Sequence, residues 1–136
     1  MIGTPRGYRT MSCELPGDEA IVVKARDIVR RTLVGWDLPD LMDDVVLMVS
    51  ELVTNAIAHG APPIGLSLRA GDGALRGEVT DNGSGLPRRL HVDRHVDHGR
   101  GLVIVDALAD QWGLTACPGR TGKSVWFIRC LRHRHP

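Results

Sequence analysis

Cysteine, lysine and aromatic residues are all scarce in this sequence, and no stretch of it stays apolar for long. Cys13, Cys117 and Cys130 are odd in number, widely spaced and without a C-x-x-C pair. A disulfide framework or a thiolate metal site is therefore not expected, and a reducing compartment suits the chain. Only Lys24 and Lys123 are lysine; 17 basic residues against 16 acidic ones leave a formal charge of +1. A nucleic-acid partner usually goes with a basic excess, so that class is not expected. The arginine preference reads as a bias of genome composition, not as chemistry. The most apolar run, VVLMVSELV, is interrupted by Ser50 and Glu51 and is far too short to span a bilayer. The opening MIGTPRGYRT is polar and rich in glycine and proline, unlike a signal segment. The expectation is a soluble, cytoplasmic protein with no membrane partner. Trp112 and Trp126 have too few aromatic neighbours in sequence for a base-stacking platform and are expected to pack in the core or at an edge.

What is present suffices for one domain with a real core: 136 residues, 43% of them hydrophobic. Residues 1–7 read as a flexible leader, 8–130 as the domain and 131–136 as a basic tail. YRTMSCEL (8–15) reads as a strand, after which Pro16-Gly17-Asp18 turns the chain and Asp18 stands where a helix N-cap belongs. Apolar residues at 21, 22, 25, 28, 29 and 33 have a helical period. Leu38-Pro39-Asp40 starts a second helix that runs to His59, where Gly60 and Pro62 stop it. IGLSLRA and LRGEVTD alternate and are joined by Gly71-Asp72-Gly73, which predicts a hairpin. GLVIVDALAD reads as a helix, and WGLTAC and KSVWFIRC as strands joined by a PGRTG turn. This order implies an α+β fold: a two-layer α/β sandwich whose sheet is mixed and mainly antiparallel, with the helices on one face. Residues 82–100 show no period, and so long a loop in so small a domain is expected to be a lid or a binding loop.

Three short patterns bear on chemistry. In ELVTNAIAHG, Glu51, Asn55 and His59 recur every four residues and fall on one stripe of a helix. Such a stripe ordinarily faces water. DNGSGLP follows a strand: Asp81 at the strand end is available to accept hydrogen bonds, and Gly83 and Gly85 leave room for a flat ring to approach the backbone. HGRGL precedes a helix, whose free N–H groups and positive dipole end suit phosphates. Taken singly, the last two are common turns.

Taken in order, ELVTN, DNGSG and GRGL, with GKSVWF late in the chain, resemble the GHKL (Bergerat-fold) ATP-binding superfamily, which joins gyrase-type ATPases and histidine kinases. The resemblance covers roughly residues 8–130. Within the superfamily the likeness is to the small bacterial anti-sigma-factor serine/threonine kinases, which are stand-alone domains of about this length. It implies ATP and Mg²⁺ as ligands. Asn55 would be an oxygen ligand to Mg²⁺ and Glu51 the catalytic base beside the γ-phosphate. Asp81 would accept the adenine amino group, with Gly83 and Gly85 beside the ring, and Ser124 would hold a water that completes the adenine contact. Gly99, Arg100, Gly101 and Leu102 would complete the nucleotide site, Arg100 as the phosphate-side cation. His59 is expected to end the helix rather than to touch the ligand. The implied partners are a sigma factor and a small anti-anti-sigma (STAS-type) protein, with a homodimer left open. A non-catalytic ATP-binding regulatory module is the alternative, followed by a GHKL ATP hydrolase in which Glu51 activates water. Ser84 and Ser124 depart from the resembling pattern, which frequently has proline and threonine there. None of the six histidines is expected to be a phospho-acceptor.

Two other patterns are set aside. GRTGKS (119–124) lacks the first glycine of a P-loop, since Cys117 stands there, and is followed by a strand pattern instead of a helix. HVDRHVDH (91–98) would bring His91, His95, His98, Asp93 and Asp97 onto one metal only as a helix, which nothing in it caps; lid residues are expected.

Overall fold

Alternation of apolar and polar side chains decides which way the sheet faces. A computed structural model describes residues 8–83, 99–116 and 122–131. The strands are β1 (Arg9–Leu15), β2 (Ile64–Gly71), β3 (Ala74–Asp81), β4 (Gln111–Ala116) and β5 (Lys123–Cys130), in the spatial order β1-β2-β3-β5-β4. Ile64, Leu66, Leu68 and Ala70 of β2 and Leu75 and Val79 of β3 are buried on one face, against the helices. Arg69, Arg76, Glu78 and Thr80 lie on the other.

The α+β sandwich is the expected one. The sheet, expected to be mixed and mainly antiparallel, is antiparallel at every described pairing. The reason lies in the last hairpin. A crossover through a helix leaves β4 running in the direction of β3, but β5 folds back between the two, so no parallel edge forms.

Among the described residues three helices cover the apolar face: α1 (Ile21–Gly35), α2 (Met42–His59) and α3 (Gly99–Leu108). In α1 the fully or nearly buried residues are Ile21, Ala25, Val29 and Leu33, a spacing of four that makes one stripe. Asp18, expected as its N-cap, acts one step earlier: its carboxylate accepts the Ala20 N–H at 2.9 Å and its carbonyl that of Ile21 at 3.1 Å. The side chain thus shapes the turn, and the helix opens at Ile21 without a side-chain cap. A single 3-10 turn, Pro39–Leu41, leads into α2. This helix is buried on a wide arc, Val45, Val46, Met48, Val49, Leu52, Val53 and Ala56, because α1, α3 and β3 all pack on it. Gly60 ends it, its N–H donating to the Ala56 carbonyl at 2.9 Å.

The β2–β3 turn is tighter than expected. Gly71 belongs to β2 and pairs with Ala74, leaving Asp72 and Gly73 alone in the loop at φ 54° and 75°. Two positive φ values make this the hairpin turn whose twist matches the strands. Trp112 and Trp126 both pack, as expected. Trp112 donates its indole N–H to Asp106 of α3 at 2.8 Å, and Trp126 lies against Gly113 with the Arg76 guanidinium 5.1 Å from its ring centre. The leader, most of the loop expected as a lid, the PGRTG turn up to residue 121 and the basic tail after Leu131 lie outside the described residues. Among the described residues no helix is long and apolar enough to cross a membrane.

The core is centred on Phe127, the one phenylalanine, which is fully buried opposite Gly77. A Cβ on Gly77 would come within 2.3 Å of the ring, so the glycine is what admits it. Gly77→Ala should therefore lower stability by about 1–3 kcal/mol through overpacking. Combining it with Phe127→Leu should cost less than the two separate losses added, with a coupling of about 0.5 kcal/mol or more. Urea midpoints of the four proteins at unchanged slope check this.

Candidate functional site

Asp81 is the last residue of β3 and falls on its helix-facing side, in phase with Leu75, Gly77 and Val79. That phase carries a carboxylate into the layer between sheet and helices, where it is only 7% exposed. Its immediate surroundings are set by close approach. A Cβ on Gly60 would come within 2.3 Å of the Asp81 Cγ, and one on Gly83 within 2.8 Å of the Gly60 Cα. Only glycine at both positions lets the end of α2 and the residues after β3 lie this near each other. The Asn82 N–H donates to the Ala61 carbonyl at 2.7 Å and the Gly83 N–H to Asp81 Oδ1 at 2.7 Å, which locks the carboxylate's orientation.

Lys123 faces Asp81 directly across the β3–β5 pairing. Its Nζ is 3.2 Å from Oδ2 and 3.3 Å from Oδ1, and the two side chains are 6% and 5% exposed. A charge pair withdrawn from water to this degree tolerates the loss of one member badly, because the other is left buried and uncompensated.

Asp81 and Lys123 form one end of a small cavity of about 20 Å³. Its walls are apolar: Leu52 and Ala56 from α2, Val79 from β3, Val125 from β5 and Leu102 from α3. Its remaining polar residues are Asn55 and His59, also from α2. The space takes about one water molecule as it stands. Apolar walls beside a fixed carboxylate acceptor are what a purine ring with an exocyclic amino group requires, so the lining suits adenine once side chains make room.

Of the residues singled out in the sequence, Asn55, Asp81 and Leu102 line this cavity together, and Gly83 is bonded to Asp81. Glu51 is half-buried one helical turn before Asn55 and is not part of the lining. His59, expected only to end the helix, stands in its last turn and lines the cavity as well. Gly99, Arg100 and Gly101 form the first turn of α3, which opens two residues earlier than expected, so the free N–H groups of that helix belong to the GRGL box. Gly85 lies outside the described residues, as does the histidine-rich 91–98 segment.

Ser124 is not brought to the cavity. It pairs with Thr80 and so lies on the opposite face of the sheet from Asp81, where its hydroxyl donates to Glu78. A shift of one residue along a strand exchanges the faces, and Lys123 holds the position beside Asp81 that the sequence reading gave to Ser124. Apolar alternation could have indicated this only weakly, since Val125 and Phe127 mark one face while Trp126 and Ile128 are apolar on the other.

Among the described residues no group of three or more His, Cys, Asp or Glu side chains could hold a metal. A neutral oxygen such as that of Asn55 nevertheless suits Mg²⁺, which takes much of its shell from phosphates and water instead of a protein cage. Of the two cysteines among the described residues, burial pushes the Cys13 thiol up, and the nearby Asp110 carboxylate raises that of Cys130, which disfavours the thiolate in both.

A family model for the histidine kinase-like ATPase domain matches residues 15–129. The chain belongs to that family, a class of domain that binds ATP, usually with Mg²⁺. No curated protein matches the chain.

Two outcomes follow from these electrostatic pairings, one in the cavity and one outside it. Lys123→Met should lower stability by about 3–5 kcal/mol, and the double variant Asp81→Asn/Lys123→Met, with no buried charge left, should recover most of that loss; denaturant titration measures both. Asp110→Asn should lower the Cys130 thiol towards its ordinary value. Alkylation at that residue, followed by peptide mass mapping, should then be faster at mildly alkaline pH and reach its plateau at lower pH than in wild type.

Proposed function

We propose that the protein is an ATP-dependent serine/threonine kinase of the anti-sigma-factor type. It transfers the γ-phosphoryl group of ATP to a serine of a small anti-anti-sigma (STAS-type) protein, and it sequesters a sigma factor when that protein is absent. The observation that carries this reading is the convergence of Asn55 and Asp81 on one cavity at the end of α2, with Glu51 one turn earlier on the same helix. Membership of the ATPase-domain family and the resemblance of ELVTNAIAHG, GRGL and GKSVWF to the small anti-sigma kinases support it.

Each residue then has a distinct task. Asp81 accepts from the adenine amino group, and the apolar walls keep water from the ring. Asn55 offers its side-chain oxygen to Mg²⁺, which when bound neutralises charge on the phosphate oxygens. Glu51 takes the proton of the attacking serine hydroxyl. The new bond is serine oxygen to γ-phosphorus, the bond broken is that between γ-phosphorus and its bridging oxygen, and ADP leaves.

Asp81→Asn should weaken ATP binding by about ten- to a hundredfold, the effect of losing a charge-assisted hydrogen bond. Asn55→Ala should weaken binding of Mg-ATP, and Glu51→Ala should leave affinity nearly intact while slowing transfer by about 10²–10⁴-fold. Calorimetric titration gives the affinities. Transfer is read with labelled ATP on partners captured from the native cell. Unchanged affinity in Asp81→Asn would remove adenine from this cavity. Wild-type transfer rates in Glu51→Ala would end that residue's role as base. A wild type that binds ATP but labels no captured partner would make the protein a regulatory ATP-binding module, and one that releases free phosphate instead would make it a hydrolase.

A further inference from the structure

We propose that Lys123 reads the purine base: its ammonium donates to the ring acceptor adjacent to the amino group held by Asp81, which in adenine is N1. This assignment rests on the ATP reading above and adds a specificity-determining residue to it.

The placement of the two side chains carries it. Lys123 and Asp81 are direct partners across β3 and β5, their charged ends are 3.2 Å apart, and both line the apolar-walled cavity. Neighbouring donor and acceptor sites on a purine edge need partners that touch each other, an acceptor beside a donor. A carboxylate and an ammonium at this separation are such a pair. The ammonium has three donors and no acceptor, so one N–H can stay on Asp81 while another turns to a ring nitrogen. The pair is neutral as a whole, so an uncharged base meets no uncompensated charge.

The two members differ in freedom. Asp81 is held by the Gly83 N–H at 2.7 Å and confined by Gly60, so the acceptor is fixed. Lys123 carries its charge on a flexible four-carbon stem. A cavity of about 20 Å³ has no room for a purine as it stands, so lining side chains must shift as the ring enters, and the flexible lysine stem is able to do so. Movement about a fixed carboxylate takes the ammonium from one acceptor to two. Guanine in the same orientation would put its carbonyl oxygen against Asp81 and its ring N–H against Lys123, an acceptor on an acceptor and a donor on a donor. The pair therefore selects adenine over guanine.

The test compares ATP with 1-deaza-ATP, in which N1 is replaced by C–H, on the full chain with Mg²⁺ by calorimetric titration. Wild type should prefer ATP by at least about tenfold, and the preference should fall to about one in Lys123→Met. Taking the ratio of the two nucleotides within each protein cancels any general effect of the substitution on folding. Lys123→Thr, whose hydroxyl can still face Asp81 but is too short to reach past it, serves if the methionine variant does not fold, and the same collapse of preference is expected. Equal binding of the two nucleotides by wild type, or a preference retained unchanged in the variants, would overturn the role of Lys123 while leaving ATP binding intact. Wild type that binds neither nucleotide would overturn the ATP reading itself, and this assignment with it.

Discussion

A carboxylate withdrawn from water must be given partners, and the surroundings of Asp81 are organised around supplying them. Gly83 gives it a backbone N–H, and Lys123 gives it a positive charge from the neighbouring strand. Gly60 gives it room, since any side chain there would overlap the carboxylate. These three residues come from three parts of the chain: the end of α2, the segment after β3 and the start of β5. Their meeting ties the helix layer to the sheet at one point. It also fixes where the last turns of α2 lie relative to the strand end, and hence which residues can share a ligand.

The helix α2 serves two layers at once. Its wide apolar arc is buried against α1, α3 and β3, which makes it the central element of the helix layer. Asn55 and His59 lie at one border of that arc and reach the cavity, whose apolar walls include Leu52 and Ala56 of the same helix. Core packing and cavity lining are thus provided by adjacent positions on one rigid element. Substitutions within the arc are expected to disturb the site as well as the fold, because nothing flexible separates them.

Much of this organisation was legible in the chain itself. Strand and helix periods differ enough that the five strands and three helices of the described residues could be read from the pattern of apolar residues. Boundaries were less legible where side chains and backbone compete for the same hydrogen bonds. Asp18 shapes a turn rather than capping α1 directly, and α3 opens at Gly99, where two glycines hide a helix start. Half of the site was legible too. Asn55 and Asp81 could be named because their order along the chain matches a known arrangement, and both line the cavity. Ser124 and Lys123 could not be told apart, since they are neighbours on a strand that is apolar on both faces.

The sequence by itself determined what depends on local period and on glycine: the kind and order of the elements, the two-layer class, and the carboxylate waiting at the end of β3. The pairing register decided the rest. Whether Lys123 or Ser124 faces Asp81 depends on β5 aligning with β3 at that residue and not one further on, which no local propensity encodes. The insertion of β5 between β3 and β4 likewise made the sheet, expected to be mainly antiparallel, antiparallel at every described pairing. Both are long-range choices, settled by burying Phe127 against Gly77 and by matching a buried charge with its opposite, so they exist only once the strands have come together.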